Sequence, residues 1–199
     1  MKDIITKKVL IERTATYNKD MTKRYELTYR YNSSHKKEKA ILFICMNPSS
    51  NDILLSDTTS NYILNNILPM GFTTITICNL FAYICKKIKV NEIVETTDNM
   101  EYIQSVLERE FHTIVVGYGN AYDTNKKVLK EKYLLEGLLK KANGHVVELI
   151  DKENKYSRLK TIHPLFAGQR FPSNWSFRKH YFENKDKTSN DQQNFVDNH

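Results

Sequence analysis

The chain of 199 residues is 40% hydrophobic and carries a net charge of +7, with an isoelectric point near 9.1. This length predicts one domain with a substantial core, and no apolar stretch approaches the ~18–20 residues that are needed to cross a bilayer. The three cysteines form no Cys-x-x-Cys pair, so a disulfide framework is excluded and we expect neither a metal nor another cofactor.

The charge pattern separates the body of the chain from its end. Residues 183–199 hold four acidic residues and two lysines, a sum of −2, so residues 1–182 carry +9. A basic body suggests a polyanionic partner such as nucleic acid, although a lysine-rich composition could serve solubility alone. The acidic tail is rich in Asn, Asp and Gln, and we predict that it is disordered. Residues 1–8 lack the apolar core of a signal peptide, so we expect a cytoplasmic location and no membrane contact.

The first predicted elements are a polar lead-in and a β-hairpin. Residues 1–21 are polar and mixed without a clear period, which is typical of a loosely packed lead-in. The sequence of Arg24–Tyr31 alternates and is rich in β-forming residues, so it predicts a strand. The turn-rich, basic residues 32–39 then predict an antiparallel hairpin between this strand and the apolar run that follows.

The apolar run at residues 41–46 is the central element of the predicted sheet. It is unbroken, as in a strand buried on both faces of a parallel sheet, and it stops at Asn47-Pro48-Ser49. Ligands of open α/β sheets bind just beyond the carboxyl ends of the strands, so these polar residues are candidates for a site. The alternative is an ordinary strand-ending turn, in which the same residue types are common.

Helices and strands alternate through the rest of the chain. Asp57 is a good N-cap for a helix that ends before Pro69-Met-Gly71, and Asp98 is expected to cap the next helix. The other predicted elements are strands at residues 72–79, 113–116 and 145–150, a helix at 123–141, a polar turn at 151–156 and a short strand ending at His163.

This alternation predicts an α/β fold. We expect three layers, α/β/α, around a central and mainly parallel sheet of about four strands, with the N-terminal hairpin strand running antiparallel. A single domain should cover residues 22–182.

Four of the predicted strands end in short polar motifs: Asn47-Pro-Ser49, Asn79-Leu-Phe81, Gly117-x-Gly119 and His163-Pro164. The carboxyl ends of parallel strands share one edge, so two amides, a histidine and glycine backbone should converge there. The glycine turn could let backbone N–H groups approach an anion, whereas the absence of a full Gly-x-Gly-x-x-Gly motif argues against a dinucleotide site.

This ordered set resembles the uracil-DNA glycosylase superfamily. Met46-Asn47-Pro48-Ser49 is similar to the first motif of the mismatch-specific and thymine-DNA glycosylase branch. Asn79 falls where the superfamily has its base-reading asparagine, and Ile162-His163-Pro164 is similar to half of the last motif. The resemblance implies a four-stranded parallel sheet between helices and cleavage of an N-glycosidic bond.

A family of glycosylase-like domains from bacteria and phages is more similar still. The shared features are Arg24-Tyr-x-Leu27, Asn-Pro-Ser followed by Asp57 and Thr58, Asn-Leu-Phe-Ala, and His-Pro-Leu, which together span residues 24–166. The chain departs from the superfamily in Leu165, where serine is usual, and in Cys45, where glycine is usual. It also has a polar insert at residues 151–156 and lacks the four cysteines of the iron–sulfur branches.

The resemblance suggests roles for residues at the predicted edge. Asn47 could hold a water under C1′, His163 could donate to the negative charge that develops on the departing base, and Asp57 could orient water. Candidate base-binding residues are Asn79, Phe81, Met46 and Ser49, and candidate DNA-binding residues are Lys86, Lys87, Lys89, Gly119, Leu165, Phe166 and Arg170. The alternatives are a helix cap for Asp57 and core packing for Phe81, Leu165 and Phe166.

The predicted substrate is a modified pyrimidine in double-stranded DNA, bound by a monomer. The departures near His163 alter the mouth of the pocket, which favours an enlarged base such as hydroxymethylcytosine or its glucoside in phage DNA, removed in defence against phage. Two other functions fit the same residues. One is a non-catalytic nucleic-acid-binding domain on the same fold, and the other is a hydrolase of free nucleotides or nucleosides that uses His163 as a general acid.

Overall fold

The structure, a computed structural model, describes residues 5–6, 8–31, 38–92 and 96–182. In these ranges the chain forms seven strands and four α-helices. The strands are β1 (Ile11–Tyr17), β2 (Arg24–Tyr31), β3 (Ala40–Cys45), β4 (Thr74–Asn79), β5 (Thr113–Val116), β6 (His145–Asp151) and β7 (Trp175–Lys179). The helices are α1 (Thr58–Ile67), α2 (Thr97–Leu107), α3 (Lys126–Leu139) and α4 (Pro164–Arg170), and single 3₁₀ turns lie at Leu68–Met70 and Val90–Glu92.

All seven strands join one sheet in the order β1-β2-β4-β3-β5-β6-β7. The four central strands, β4, β3, β5 and β6, are parallel, while β1, β2 and β7 run antiparallel to their neighbours. The α/β prediction with a mainly parallel centre is therefore confirmed, and the sheet has more strands than expected.

Helices cover both faces of the sheet. Successive residues of β3 point to opposite sides, so Leu42 and Ile44 pack with residues of α2 and α3, while Ile41 and Phe43 pack with residues of α1 and α4. A strand that is apolar at every position suits this arrangement because neither face reaches water. The three layers predicted from the sequence are present.

Three local predictions were wrong. The strand β2 pairs with β1 and β4 rather than β3, because β3 lies between two parallel partners and has no free edge. Part of the predicted lead-in forms the edge strand β1. No strand ends at His163 in the described chain, because β7 occupies the free edge of β6 and His163 begins α4 instead.

Of the two predicted helix caps, one is present and the other is not. Asp57 caps α1 as predicted, its side chain accepting from Ser60 N at 2.7 Å. Asp98 is not the N-cap of α2, because the helix begins at Thr97 and its N-cap position is Thr96, two residues before Asp98. Residues 32–37 of the predicted turn at 32–39, and the predicted disordered tail at 183–199, lie outside the described residues. None of the helices in the described ranges combines the length and apolar character that a bilayer crossing requires.

Candidate active site

A pocket of about 420 Å³ opens at the carboxyl edge of the parallel strands. Three separate connections meet there, after β3, after β5 and before α4. Four residues that the sequence indicated line this pocket, namely Met46, Gly119, His163 and Phe166. The other lining residues are Tyr118, Asn120, Ala121, Leu159 and Ile162.

The Gly117-x-Gly119 turn packs directly against the His163-Pro164 step. A Cβ on Gly119 would lie 3.2 Å from His163 Cβ, and the φ of +76° at Gly119 is one that other residues rarely adopt. A Cβ on Gly117 would lie 3.2 Å from Pro164 Cδ. Both glycine N–H groups donate within the protein, to Ile44 O and Thr161 O. These two N–H groups are therefore not free for an anion, and the glycines let His163 approach β5. The DNA contact expected of Gly119 stays a prediction.

His163 is held as a neutral imidazole with one defined tautomer. Its Nδ1 accepts a hydrogen bond from Leu165 N at 3.1 Å, so the ring proton lies on Nε2. Burial lowers the pKa of His163 to about 4, and the nearby Asp57 only partly opposes this effect. Because His163 lines the pocket, its Nε2–H is a donor available to a ligand that carries negative charge.

The amide of Asn47 is oriented by the carbonyls around it. Its Nδ2 donates to Cys85 O at 2.7 Å and to Pro48 O at 3.1 Å. Two carbonyl acceptors require the nitrogen on that side, which leaves Oδ1 as an acceptor. Asn47 follows Met46, which lines the pocket, although Asn47 itself lies outside the lining. Oδ1 is therefore the atom of this side chain that is left to accept a hydrogen bond.

Asp57 connects the Asn-Pro-Ser motif to α1. Its Oδ1 caps the helix, and Ser49 Oγ donates to its Oδ2 at 3.3 Å. Asp57 also raises the pKa of His163 against the effect of burial, and it acts electrostatically on the buried Arg24. The structural role predicted for Asp57 is present, and a catalytic role stays a prediction.

Two predicted base contacts lie in the core behind the pocket. Phe81 is 1% exposed and packs among the core residues between the sheet and helices α2 and α3. Asn79 is 2% exposed, and its Nδ2 is buried with no hydrogen-bond partner. Neither side chain lines the pocket, so the packing explanation accounts for Phe81. The unpaired Nδ2 of Asn79 costs free energy that a ligand oxygen would recover if the pocket extended to it.

Tyr118 is hydrogen-bonded to a network of charged side chains formed by Glu136, His180, Glu148 and Arg178. Tyr118 Oη donates to Glu136 Oε1 at 3.0 Å, and His180 lies between Glu136 and Glu148 with ring nitrogens 2.9 Å and 2.8 Å from their oxygens. Burial alone would lower the pKa of His180, but the two carboxylates raise it to about 9. Burial opposes ionisation of Glu148, yet His180 and Arg178 bring its pKa below the usual value. The network is therefore charged at neutral pH.

The same network fixes the two turns beside the pocket. Thr161 N donates to Glu148 Oε2 at 3.2 Å, two residues before His163. On the other turn, Lys132 is 9% exposed, donates to Gly119 O at 2.9 Å and lies 4.5 Å from the centre of the Tyr118 ring. Backbone on both sides of the pocket is thus tied to buried charged side chains.

The polar insert reaches the pocket through aromatic contacts. Tyr156 packs edge-on against Phe166, with ring centres 5.5 Å apart, and stacks on Phe171. Arg170 lies 5.9 Å from the centre of the Phe166 ring, and Leu165 is partly buried at the start of α4. The insert therefore sets the position of Phe166, which the sequence assigned to DNA contact and which lines the pocket.

The predicted cationic loop lies beside the Asn47 motif. Lys86 and Lys87 are exposed and directly follow Cys85, whose N–H donates to Pro48 O. Lys89 forms an exposed ion pair with Glu92 at 2.9 Å, so it is less available to a phosphate. No group of three or more His, Cys, Asp or Glu side chains within the described ranges could hold a metal ion.

The residues missed at sequence level carried weak signals. Tyr118 lies between two glycines and resembles an ordinary turn residue, while Leu159 and Ile162 resemble strand residues. His180 gave no signal because its two carboxylate partners are 32 and 44 residues away in the chain.

The fold is that of an α/β protein with a pocket at the carboxyl edge of its parallel strands. The chain belongs to the family described as protein of unknown function, DUF1643, which matches residues 24–165. That range contains every lining residue except Phe166. No curated protein and no solved structure matches the chain.

Proposed function

We propose that this protein is a DNA glycosylase, which hydrolyses the N-glycosidic bond of a flipped base and leaves an abasic site. The observation that carries the proposal is His163, a neutral imidazole whose Nε2–H is a donor in a pocket at the carboxyl edge of the sheet. A neutral imidazole can donate its N–H to the negative charge that develops in a transition state, and it needs no change of protonation to do so.

The reaction divides between the two sides of the site. The bond between C1′ and the base nitrogen breaks, and its electron pair leaves on the base, where His163 Nε2–H donates to a base oxygen. A water oxygen forms the new bond to C1′, and the water proton passes to the departing base or to solvent. In this mechanism Asn47 accepts a hydrogen bond from that water through Oδ1, and the proposal is supported by the engagement of Nδ2 with Cys85 O and Pro48 O, which leaves Oδ1 as the acceptor.

Tyr118 and Phe166 supply aromatic surface for the flipped base. Moving a base out of the duplex costs a few kcal/mol. Stacking on an aromatic side chain contributes ~1–3 kcal/mol per base and can offset that cost. Both residues line the pocket. The Phe166 ring contacts Tyr156, while Tyr118 is 5% exposed and its hydroxyl donates to Glu136. The basic charge of residues 1–182 favours DNA as the polymer that presents the base.

We infer that the base is an enlarged, modified pyrimidine, such as hydroxymethylcytosine or its glucoside in phage DNA. The pocket volume of about 420 Å³ exceeds the needs of a bare pyrimidine and lies within the ~300–1,000 Å³ range of small-molecule sites. Asn120 is exposed at its mouth and accepts from Thr161 Oγ1, so its amide nitrogen can donate to a sugar hydroxyl. Removal of such bases would act in defence against phage.

The test is a comparison of one duplex sequence that carries cytosine, uracil, hydroxymethylcytosine or glucosylated hydroxymethylcytosine at a single position. Incubation with the wild-type protein should produce alkali-labile sites in the modified strands, and cytosine should be spared. Preference for uracil would contradict the substrate and leave the glycosylase proposal standing. DNA binding without cleavage of any strand would favour a binding domain, and release of base from free nucleosides alone would favour a nucleotide hydrolase.

A further inference from the structure

Two arginines at the β1–β2 edge of the sheet, Arg13 and Arg24, lack a carboxylate partner. Arg24 is 3% exposed, and neither guanidinium belongs to any ion pair among the residues that the structure describes. By contrast, Arg178 pairs with the buried carboxylate of Glu148. Burial lowers the pKa of Arg24, and Asp57 opposes that effect only from a distance. A buried charge without a paired counterion is costly, so the position of Arg24 favours an anion nearby.

The pairing of β1 with β2 brings two tyrosines to the same place. Arg13 lies opposite Tyr29, and Tyr17 lies opposite Arg24 after a register shift that follows Thr16. Opposite residues of an antiparallel pair share a face, and a shift of this kind re-aims side chains. Arg13 lies 5.1 Å from the centre of the Tyr29 ring, and all three of these residues act electrostatically on Arg24. The four side chains therefore form one group, the Arg13–Arg24 cluster.

Three polar atoms of this cluster have no hydrogen-bond partner. They are Arg13 Nε, Arg24 Nε and Tyr29 Oη, and they make up three of the seven buried side-chain atoms without a partner in the described part of the chain. Native proteins leave few such groups unpaired, and each one calls for an explanation such as a bound water or ion. Two positive charges favour an anion here, because a water would satisfy the donors without balancing the charge.

The connection between β3 and α1 supplies the cluster with backbone carbonyls. The hydrogen bonds run from Arg24 Nη1 to Ser50 O at 3.1 Å, from Tyr17 Oη to Asn51 O at 2.8 Å and from Arg13 Nη2 to Leu55 O at 3.0 Å. Each of these donors is one that a phosphate oxygen could accept from equally well. The connection thus occupies donors of the cluster with neutral carbonyl groups, which do not compensate its charge.

Hydrogen bonds rather than apolar packing hold this connection against the sheet. Leu54 is 87% exposed and Leu55 is 69% exposed, so neither side chain is packed down. Asp52 Oδ1 accepts from the N–H groups of both leucines, which gives the segment a local shape of its own. A segment that is held by a few single hydrogen bonds can move aside at small cost, and an anion can then take over the donors of the cluster.

We propose that the Arg13–Arg24 cluster binds a small phosphate, either inorganic phosphate or the terminal phosphate of a monoester, beneath the connection. Guanidinium groups match phosphate oxygens with paired donors, and the Tyr29 hydroxyl adds another. Because Arg24 and Tyr29 are only 3% and 4% exposed, a phosphate within a DNA strand, which continues on both sides, does not reach them. The site is separate from the proposed glycosylase activity.

The decisive variant is Tyr29→Phe, because the proposal gives it opposite effects on stability and on binding. Removal of a buried hydroxyl without a partner should leave the melting temperature in chloride buffer unchanged or higher. The same change removes a donor to the anion, so the dissociation constant for inorganic phosphate, measured by calorimetry, should rise about tenfold or more. Wild type should bind phosphate saturably and melt at a higher temperature in phosphate than in chloride of equal ionic strength.

The matched control is Tyr25→Phe, which removes a hydroxyl of the same strand that donates to Asp98 at 2.8 Å. This control should lower the melting temperature and leave the dissociation constant for phosphate unchanged. Arg13→Gln should weaken phosphate binding by about tenfold or more. Arg30→Gln should not, because Arg30 is an exposed arginine of β2 outside the cluster.

Three results would overturn the site. They are no saturable binding of phosphate by wild type, unchanged phosphate affinity in Tyr29→Phe, and a loss of stability in Tyr29→Phe as large as that in Tyr25→Phe. The last result would mean that the Tyr29 hydroxyl has a partner in the unliganded protein.

Further ligands identify the source of the phosphate. Competition between a nucleoside 5′-monophosphate and inorganic phosphate would assign the site to an ester, and lack of competition would assign it to the free ion. If Tyr29→Phe weakens duplex DNA binding as much as it weakens phosphate binding, the assignment to a small ligand is overturned. None of these measurements requires cleavage of DNA, so failure of the glycosylase proposal and failure of the phosphate site are distinguishable.

Discussion

The two sides of the candidate site are built by different kinds of interaction. The His163 side, comprising residues 118–121 and 159–163, is fixed by buried charged groups, including Glu148, His180 and Lys132. The Asn47 side, comprising residues 46–57, is fixed by single hydrogen bonds from Tyr17, Arg13 and Arg24 to backbone carbonyls, and of these three donors only Arg24 is a buried charged group. Buried charges are costly to leave unpaired, whereas single hydrogen bonds near the surface contribute little each.

This difference matches the tasks that we assign to the two sides. The donor that meets charge on the base must keep its position closely, because stabilisation of a transition state falls quickly when donors move. The side that meets the duplex must adapt to backbone and stacked bases, for which a few separate hydrogen bonds are sufficient. We infer from this comparison that the His163 side is held rigidly, whereas the Asn47 side can adapt to the DNA that we propose it contacts.

The largest expected effect concerns the charges behind His163. The variant Glu148→Gln removes the buried carboxylate that pairs with both Arg178 and His180 and leaves His180 with Glu136 alone, and we expect it to lower the free energy of unfolding by ~3–5 kcal/mol. The variant Arg13→Ala on the other side removes one hydrogen bond and should cost about 1 kcal/mol. Urea unfolding measures both.

The matched control for Glu148→Gln is Glu153→Gln, because Glu153 is an exposed partner of Lys155 and the same chemical change should have little effect there. Equal losses of stability in the Glu148 and Arg13 variants would contradict the contrast between the two sides.

Catalysis gives the next effect. His163→Ala and Asn47→Ala should each lower turnover by ~10²-fold or more with the fold intact, the scale of losing one preorganised donor or acceptor. Single-turnover cleavage of the preferred duplex measures the loss. His145→Ala and Asn143→Ala are the controls, because both residues are exposed at the opposite edge of the sheet.

Because the pKa of His163 is about 4, the wild-type rate should not fall as the pH rises through 6.5, the ordinary value for histidine. A rate that fell there would mean that a protonated His163 is the active form, and near-normal cleavage by both alanine variants would remove these residues from the mechanism.

The stability of the protein should depend on alkaline pH through His180. Its pKa in the folded protein is about 9, above the ordinary value of 6.5, so its contribution to stability is complete below pH 6.5 and is lost as the pH rises through 9. Unfolding free energies of wild type and His180→Gln, compared across that range, should converge as the pH increases. A constant difference between the two would show that His180 is neutral between its carboxylates.

The smallest effect tests the contact surface. If Lys86 and Lys87 each neutralise a phosphate, the double alanine variant should reduce the slope of log affinity against log salt by about 0.9 for each of the two lysines. The control is Lys140→Ala/Lys141→Ala, two exposed lysines at the far edge of the sheet. Equal slopes for both variants and wild type would place Lys86 and Lys87 away from the DNA.

Much of the fold follows from local pattern. The strand at residues 41–46 was predicted because its apolar residues are continuous in the chain, as a strand buried on both faces requires. The helix that follows Asp57 was predicted because an N-cap acts on the residues directly after it. The same holds for the positions of Asn47 and His163 next to Pro48 and Pro164, since proline restricts the residue before it. The sequence therefore identified one residue on each side of the candidate site, namely Asn47 and His163.

Only the tertiary structure decided how the two sides of the candidate site are brought together. Strand order placed β2 beside β4 and β7 beside β6, because pairing depends on which edges remain free after the central strands have assembled. The same assembly brought His180, Glu136 and Glu148 together over long sequence separations and left Tyr118 in the pocket. The neutral state of His163 is likewise a tertiary property, since burial lowers the pKa of the ring, whereas its tautomer depends on a local contact with the N–H of Leu165, two residues along the chain.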